Sequence, residues 1–240
     1  MSIAISVNDI HKAFDTPVGR REVLKGVSFE ISEGACCVIG GENGSGKSLM
    51  MSIISGLEKA DKGSYTTSGR VGLVFQEAET QILGETPRED IAFGPKNLGL
   101  KKSDVELAVK LALNETGLTE KADFIARFLS GGEKRRLAVA CMIAMQNPII
   151  VLDEPYANLD YQGVKQVNSL IQNLKESGRT VVILSHEIEK CLALADQFIV
   201  LYQGQKVYDG EPEKAFDFNV EEWNIRNPFV SYKSVKDMVW

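Results

Sequence analysis

The sequence has no run approaching the ~18 consecutive apolar residues of a membrane-spanning helix. Its opening stretch, Met1-Ser2-Ile3-Ala4-Ile5, lacks the basic start and long apolar core of a secretory signal. The expectation is therefore a cytosolic protein that meets a membrane only through partners. Cysteine is scarce: Cys36, Cys37, Cys141 and Cys191 form no C-x-x-C pair and sit among apolar neighbours, which favours reduced core residues over a metal or redox site. Positive charge is not in excess. The net charge of −6 argues against sequence-independent binding to nucleic acid. Internal repeats, low-complexity segments and obvious linkers are also missing. What remains is 240 residues of ordinary globular composition, enough for one large domain or a core with an added lobe.

The stretch Gly41-Glu42-Asn43-Gly44-Ser45-Gly46-Lys47-Ser48 follows the pattern G-x-x-x-x-G-K-[ST]. Glycines let successive backbone N–H groups turn inward and cradle phosphate oxygens. Lys47 adds a mobile charge for the β- and γ-phosphates, and the Ser48 hydroxyl can ligate Mg²⁺. The context agrees. Residues 35–39 read as a buried strand, and residues 49–56 as a helix that Gly56 can end.

The N-terminal segment reads as antiparallel strands over 3–7 and 23–31, joined through a Pro17-Val18-Gly19 turn. Residues 71–75 form another strand. From residue 77 to about 147 the pattern is helical, with one helix over 103–114 capped by Ser103 and a second over 137–145. After Pro148, strands at 149–152, 180–184 and 198–201 alternate with helices at 161–176 and 187–195. Apolar, β-branched strands between amphipathic helices predict a parallel sheet covered on both faces. The fold class is α/β, with 77–147 inserted into the core.

Two further motifs carry chemistry. The strand at 149–152 runs into Asp153-Glu154-Pro155, and ligands in α/β sheets collect at the carboxyl ends of strands. Asp153 is suited to the Mg²⁺ shell, and Glu154 to orienting or deprotonating an attacking water. A solvated acidic pair is the plain alternative. Leu129-Ser130-Gly131-Gly132-Glu133 immediately precedes a helix. It presents a hydroxyl and bare amides at a helix N-terminus, either as a second anion site or as a simple cap.

The phosphate loop, Gln76, Leu129-Ser130-Gly131-Gly132, residues 149–155, Ala157-Asn158-Leu159-Asp160 and His186 occur in this order. Together they resemble the nucleotide-binding domain of ATP-binding-cassette (ABC) proteins over about residues 3–217. That resemblance implies a P-loop ATPase core with a mainly parallel sheet and an N-terminal antiparallel β subdomain (1–76 and 148–218). It also implies a helical subdomain (77–147), and residues 219–240 are left as a tail. It implies that Phe14 stacks on adenine; Leu49 departs from the family's common Thr, whose hydroxyl meets the α-phosphate, so one hydrogen bond worth about 1 kcal/mol net is expected to be missing there. Gln76 would reach Mg²⁺ and the attacking water. Ser130, Gly131 and Gly132 would complete the ATP site of a second ATPase subunit, either another copy or a paralogue. Asp160 would link the two sites, and His186 would contact the γ-phosphate and hold Glu154.

A narrower similarity, in residues 71–76, 89–100 and 206–216, is to the ATPases of energy-coupling-factor importers of vitamins and of cobalt or nickel. It implies ATP and Mg²⁺ as ligands, integral membrane subunits docking near 77–100, and residence at the cytoplasmic face of the membrane. Glu77-Ala78-Glu79-Thr80 and Pro87 depart from that group's usual residues. The alternative is a soluble cassette ATPase of DNA repair or translation. The short stretch from Ser48 to Leu129 without sustained heptads, and the single cassette, weigh against those. A P-loop kinase or switch GTPase fits neither the Ser130 motif nor the lack of N-K-x-D.

Overall fold

The computed structural model describes residues 2–17, 19–229 and 234. Two sheets organise the chain. The first is antiparallel, in the order β2-β1-β4, from β1 (Ile3–Thr16), β2 (Gly19–Ser32) and β4 (Lys62–Thr67). The turn expected between β1 and β2 is described except for Val18, which lies outside the described residues. The second sheet has the order β5-β6-β7-β3-β8-β9, from β3 (Cys36–Gly40), β5 (Val71–Val74), β6 (Ile149–Asp153), β7 (Thr180–Ser185), β8 (Gln197–Tyr202) and β9 (Gln205–Gly210). Its first five strands are parallel, and β9 closes one edge antiparallel to β8.

Alternation along the buried strands builds two cores. Cys37, Ile39, Val151, Val182 and Leu184 face α1 (Lys47–Ile54) and the antiparallel sheet, where Met50, Met51, Ile5 and Leu24 complete the packing. Cys36, Val38, Ile150, Leu152 and Ile183 face the other way, toward α4 (Gly131–Ala144) and α5 (Tyr161–Glu176). The second core runs on without a break into α2 (Pro87–Asn97) and α3 (Lys102–Glu115) through Ile91, Val105, Val109 and Leu113. The fold is thus α/β, a P-loop core with an antiparallel β layer and an inserted set of helices.

Three sequence expectations change. Ser103 does not cap α3: Lys101 holds the extended N-cap position, while the Ser103 hydroxyl lies inside the first turn, 3.3 Å from Asp104 Oδ1. Residues 187–195 form two 3-10 turns rather than a helix. Cys191 breaks the run at φ −135°, burying its side chain, and Asn168 of α5 takes the Lys190 carbonyl at 2.8 Å. The helix expected from 137 starts at Gly131, because Ser130 and Glu133 cap each other there. Strands β4 and β9, exposed and polar, carry no alternation strong enough to reveal them in the sequence.

The tail segment 219–229 turns back onto the protein. Trp223 lies 6.2 Å from the Tyr208 ring and 5.9 Å from that of Phe218, and Val220 and Ile225 are buried. Phe229 meets Phe216 edge-on at 4.9 Å. Tyr232 and Trp240 lie outside the described residues.

Candidate functional site

Strand β3 ends at Gly40, and the chain turns sharply at Gly41, whose φ of 140° few other residues adopt. A Cβ there would fall 2.1 Å from the Leu201 carbonyl oxygen of β8. At Gly46 (φ 105°) a Cβ would strike Leu24 of β2 at 2.6 Å. Gly46 is also the N-cap of α1 and offers no side chain, so the first amides of that helix stay open to an anion. The Lys47 ammonium is buried and donates to the carbonyls of Gly41 (2.7 Å) and Glu42 (3.0 Å). Burial lowers its pKa, against the opposing pull of Glu154, Asp153 and Glu42.

The order β6-β7-β3 brings three strand ends side by side. Asp153 ends β6. Its Oδ1 is buried with no hydrogen-bond partner. Burial raises its pKa, while a hydrogen bond from Ser48 and the Lys47 charge act to lower it. An orphaned carboxylate oxygen beside a hydroxyl at the end of a phosphate loop is the donor set a hard cation takes. Asp153, Ser48 and phosphate oxygens therefore fit Mg²⁺.

Glu154 follows at φ 45°, a left-handed conformation unusual for glutamate, and is fixed by its N–H to the Leu184 carbonyl at 2.9 Å. This turn aims the side chain back across the strand ends. Glu154 is only 7% exposed, with Oε2 2.9 Å from His186 Nδ1 and Oε1 3.9 Å from Lys47 Nζ. The His186 backbone N–H points at the same Oε2 from 3.4 Å. A buried carboxylate oriented by an imidazole, beside a phosphate-binding lysine, can hold and polarise a water.

The remaining candidates gather elsewhere. Ser130 N-caps α4 in a reciprocal capping box with Glu133, at 3.3 and 2.8 Å. The cap expected as the plainer alternative is thus present. It does not explain Gly131 and Gly132, where a Cβ would meet nothing within 4 Å and a single atom at 3.9 Å respectively. Neither has positive φ, so nothing within this chain requires glycine at either position. Ser130, Gly131, Gly132 and Asp160 line one open groove of about 400 Å³. Asp160 caps α5 by accepting from Gly163 N at 2.7 Å.

Gln76 is exposed beyond the end of β5 and joins this second group: Arg135 of α4 donates to its carbonyl at 3.1 Å and to that of Ala157 at 3.5 Å. Phe14 belongs to neither group. It sits on β1 opposite Arg21, 41% exposed, with the Lys12 ammonium 5.2 Å from its ring.

Sequence reasoning missed two buried charged residues that tie elements together. Arg135 is one of three consecutive basic residues, and only its burial sets it apart. Asp90 looks like ordinary helix-start acidity. It is buried, accepts from Leu83 N and Gly84 N at 2.7 and 2.8 Å, and receives the Cys141 thiol of α4 at 3.3 Å.

The family model described as ABC transporter matches residues 24–157, spanning the phosphate loop, the Ser130 motif and the Asp153-Glu154 pair. The chain belongs to the ABC transporter family. The energy-coupling factor transporter ATP-binding protein EcfA of Methanocaldococcus jannaschii is 36% identical over 227 residues, covering 88% of this chain and 81% of that protein. The structure of CbiO1 from Clostridium perfringens, part of the ABC transporter complex CbiONQ, superposes with a TM-score of 0.81 at 27% identity, covering 95% of this chain and 97% of that one. An ATP-binding cassette captured as a post-hydrolysis dimer with ADP and phosphate gives 0.77 at 25% identity, covering 87% and 98%. This ABC ATPase has no helix, among the described residues, long and apolar enough to cross a membrane.

Proposed function

We propose that this ABC ATPase is the ATP-hydrolysing subunit of an energy-coupling-factor importer, pairing around ATP with a second ATPase subunit and driving separate membrane proteins from the cytoplasmic face. The observation that carries the proposal is the convergence of Lys47, Asp153, Glu154 and His186 at adjoining strand ends. The similarity to EcfA and CbiO1 supports the transport class.

The geometry supports the following residue roles. Amides of 43–48 and the Lys47 ammonium bind the phosphates, displacing Lys47 from the loop carbonyls. Glu154 orients the attacking water and accepts its proton, and His186 keeps that carboxylate in place. Ser48 and Asp153 would hold Mg²⁺, Gln76 would reach it from beyond the end of β5, and the ion would supply charge neutralisation at the phosphates. Phe14 supplies an exposed ring for the adenine. The bare Gly131 and Gly132, unexplained within one chain, suit close approach by the partner subunit's nucleotide. Residues 1–76 and 148–218 act as the ATPase core, 77–147 as the helical lobe and 219–240 as the tail.

Docking is assigned to 77–100. Leu83, Phe93 and Leu98 are exposed there, and a groove of about 670 Å³ in the same segment is lined in part by Ile82, Thr86, Ile125 and Lys134. Ile91, an apolar residue of the same segment, is fully buried and packs the core instead. The half-exposed Phe93 can accept a charge without disturbing that core. In the complex reconstituted with its membrane partners, Phe93→Glu should reduce transport about tenfold or more, the loss typical of an aromatic anchor, while ATPase activity of the isolated protein is kept. Transport and assembly equal to wild type would rule out this docking surface.

A further inference from the structure

An anion-binding loop that carries its own carboxylate contains a competitor for its ligand. Glu42 lies inside the phosphate loop, one residue after Gly41. Its backbone carbonyl accepts from Lys47 Nζ at 3.0 Å and from Ser45 N at 3.2 Å, so the residue is built into the cradle. Its side-chain charge acts on Lys47, and the uncapped amides of α1 lie close in the chain. A free Glu42 carboxylate would be drawn to that ammonium and those amides, the groups a phosphate needs.

The carboxylate is not free. Asn224 Nδ2 donates to Glu42 Oε2 at 2.7 Å, a contact 182 residues apart in sequence. The tail is shaped to deliver it. Asn224 adopts φ 56°, a left-handed position that asparagine tolerates, at the end of the 3-10 turn Val220–Trp223. On one side Trp223 packs against Tyr208 and Phe218; on the other Ile225 is buried, with its N–H bonded to the Val220 carbonyl at 3.2 Å. The amide is thus presented from an anchored turn.

We propose that Asn224 is a positioning residue for nucleotide binding, whose amide holds the Glu42 carboxylate on the tail side of the phosphate loop and away from the groups that receive the triphosphate. The proposal rests on the reading of this loop as the ATP site. It gives the C-terminal tail a role in ATP affinity without contact between the tail and the nucleotide.

The test is calorimetric titration of the full chain with Mg-ATP. Asn224→Gly removes the amide and keeps the left-handed backbone. It should weaken ATP binding by roughly three- to tenfold, more at low ionic strength, because the competition is between like charges. Asn224→Asp, which sets a carboxylate against Glu42, should weaken it at least as much. Adding Glu42→Gln to either variant should restore affinity to within about twofold of Glu42→Gln alone, since the competitor has lost its charge. Loss without rescue would mean that the tail merely supports the fold, and wild-type affinity in Asn224→Gly would overturn the proposal outright. A wild-type chain that binds no ATP would instead refute the loop reading on which the proposal depends.

Discussion

Glu154→Gln is expected to lower ATP turnover by about 100-fold or more while ATP still binds with near wild-type affinity. A positioned general base contributes on the order of 10²–10⁴ in rate, and Glu154 is the carboxylate best held for that work. Its backbone is locked by the Leu184 carbonyl, and its Oε2 is fixed by His186 at 2.9 Å. Glutamine fills the same volume and keeps an oxygen toward His186, so the fold and the phosphate cradle survive. Only the capacity to take a proton from water is lost. Steady-state phosphate release measures turnover, and calorimetric titration measures binding. Equal turnover in the two proteins would remove Glu154 from the reaction.

Lys47→Ala is expected to act one step earlier, on binding. The Lys47 ammonium is already desolvated, so replacing two loop carbonyls by phosphate oxygens exchanges neutral acceptors for anionic ones at little further cost. Losing a charge-assisted contact of this kind, about 1.5–3 kcal/mol each, corresponds to roughly 10- to 150-fold in affinity. The substitution also leaves the buried Glu154 and Asp153 without their nearby cation. A modest loss of stability is therefore expected as well. The two effects separate in thermal unfolding. Mg-ATP at a concentration that saturates wild type should raise the melting temperature of Lys47→Ala clearly less than that of wild type, because ligand stabilisation grows with the logarithm of the ratio of concentration to Kd. A full ATP-induced shift in the variant would contradict the assigned role.

The legible parts of this protein were those where chemistry constrains local sequence. Gly41 and Gly46 are dictated by a backbone path that a Cβ would block, and β6 and β7 by burial on both faces, so loop and strand ends could be placed without coordinates. The strand expected at 180–184 is β7, which pairs with the phosphate-loop strand β3 and so carries His186 to the loop. Errors arose where tertiary contacts override local pattern. Residues 187–195 have helical composition, yet the burial of Cys191 and the claim of Asn168 on a carbonyl divide them. Ile91 reads as one apolar residue among several on a docking segment, and only the packing of α2 turns it inward while leaving Phe93 out. Arg135 and Asn224 bond to residues distant in sequence, Asp90 is buried against Cys141 of α4, and their residue types are common at surfaces. No local signal separates them from solvated neighbours.

The central claim is that two such cassettes close around ATP, each lending Ser130, Gly131 and Gly132 to the other's phosphate loop. The chain has an uncapped start at α1 with a complete phosphate cradle, and at the capped start of α4 it has a Gly131-Gly132 pair whose lack of side chains nothing within the chain requires. Two-fold pairing supplies that pair with a ligand and yields two equivalent sites. Hydrolysis then severs the γ-phosphate from the rest of the nucleotide and loosens the interface, which is the motion a membrane partner can use. Light scattering on the Glu154→Gln protein, alone and mixed with its paralogous ATPase, tests this most directly. The account predicts the mass of a dimer with Mg-ATP, a monomer with ADP, and a monomer with Mg-ATP when Ser130→Arg is added. A monomer at saturating Mg-ATP in every mixture would contradict it.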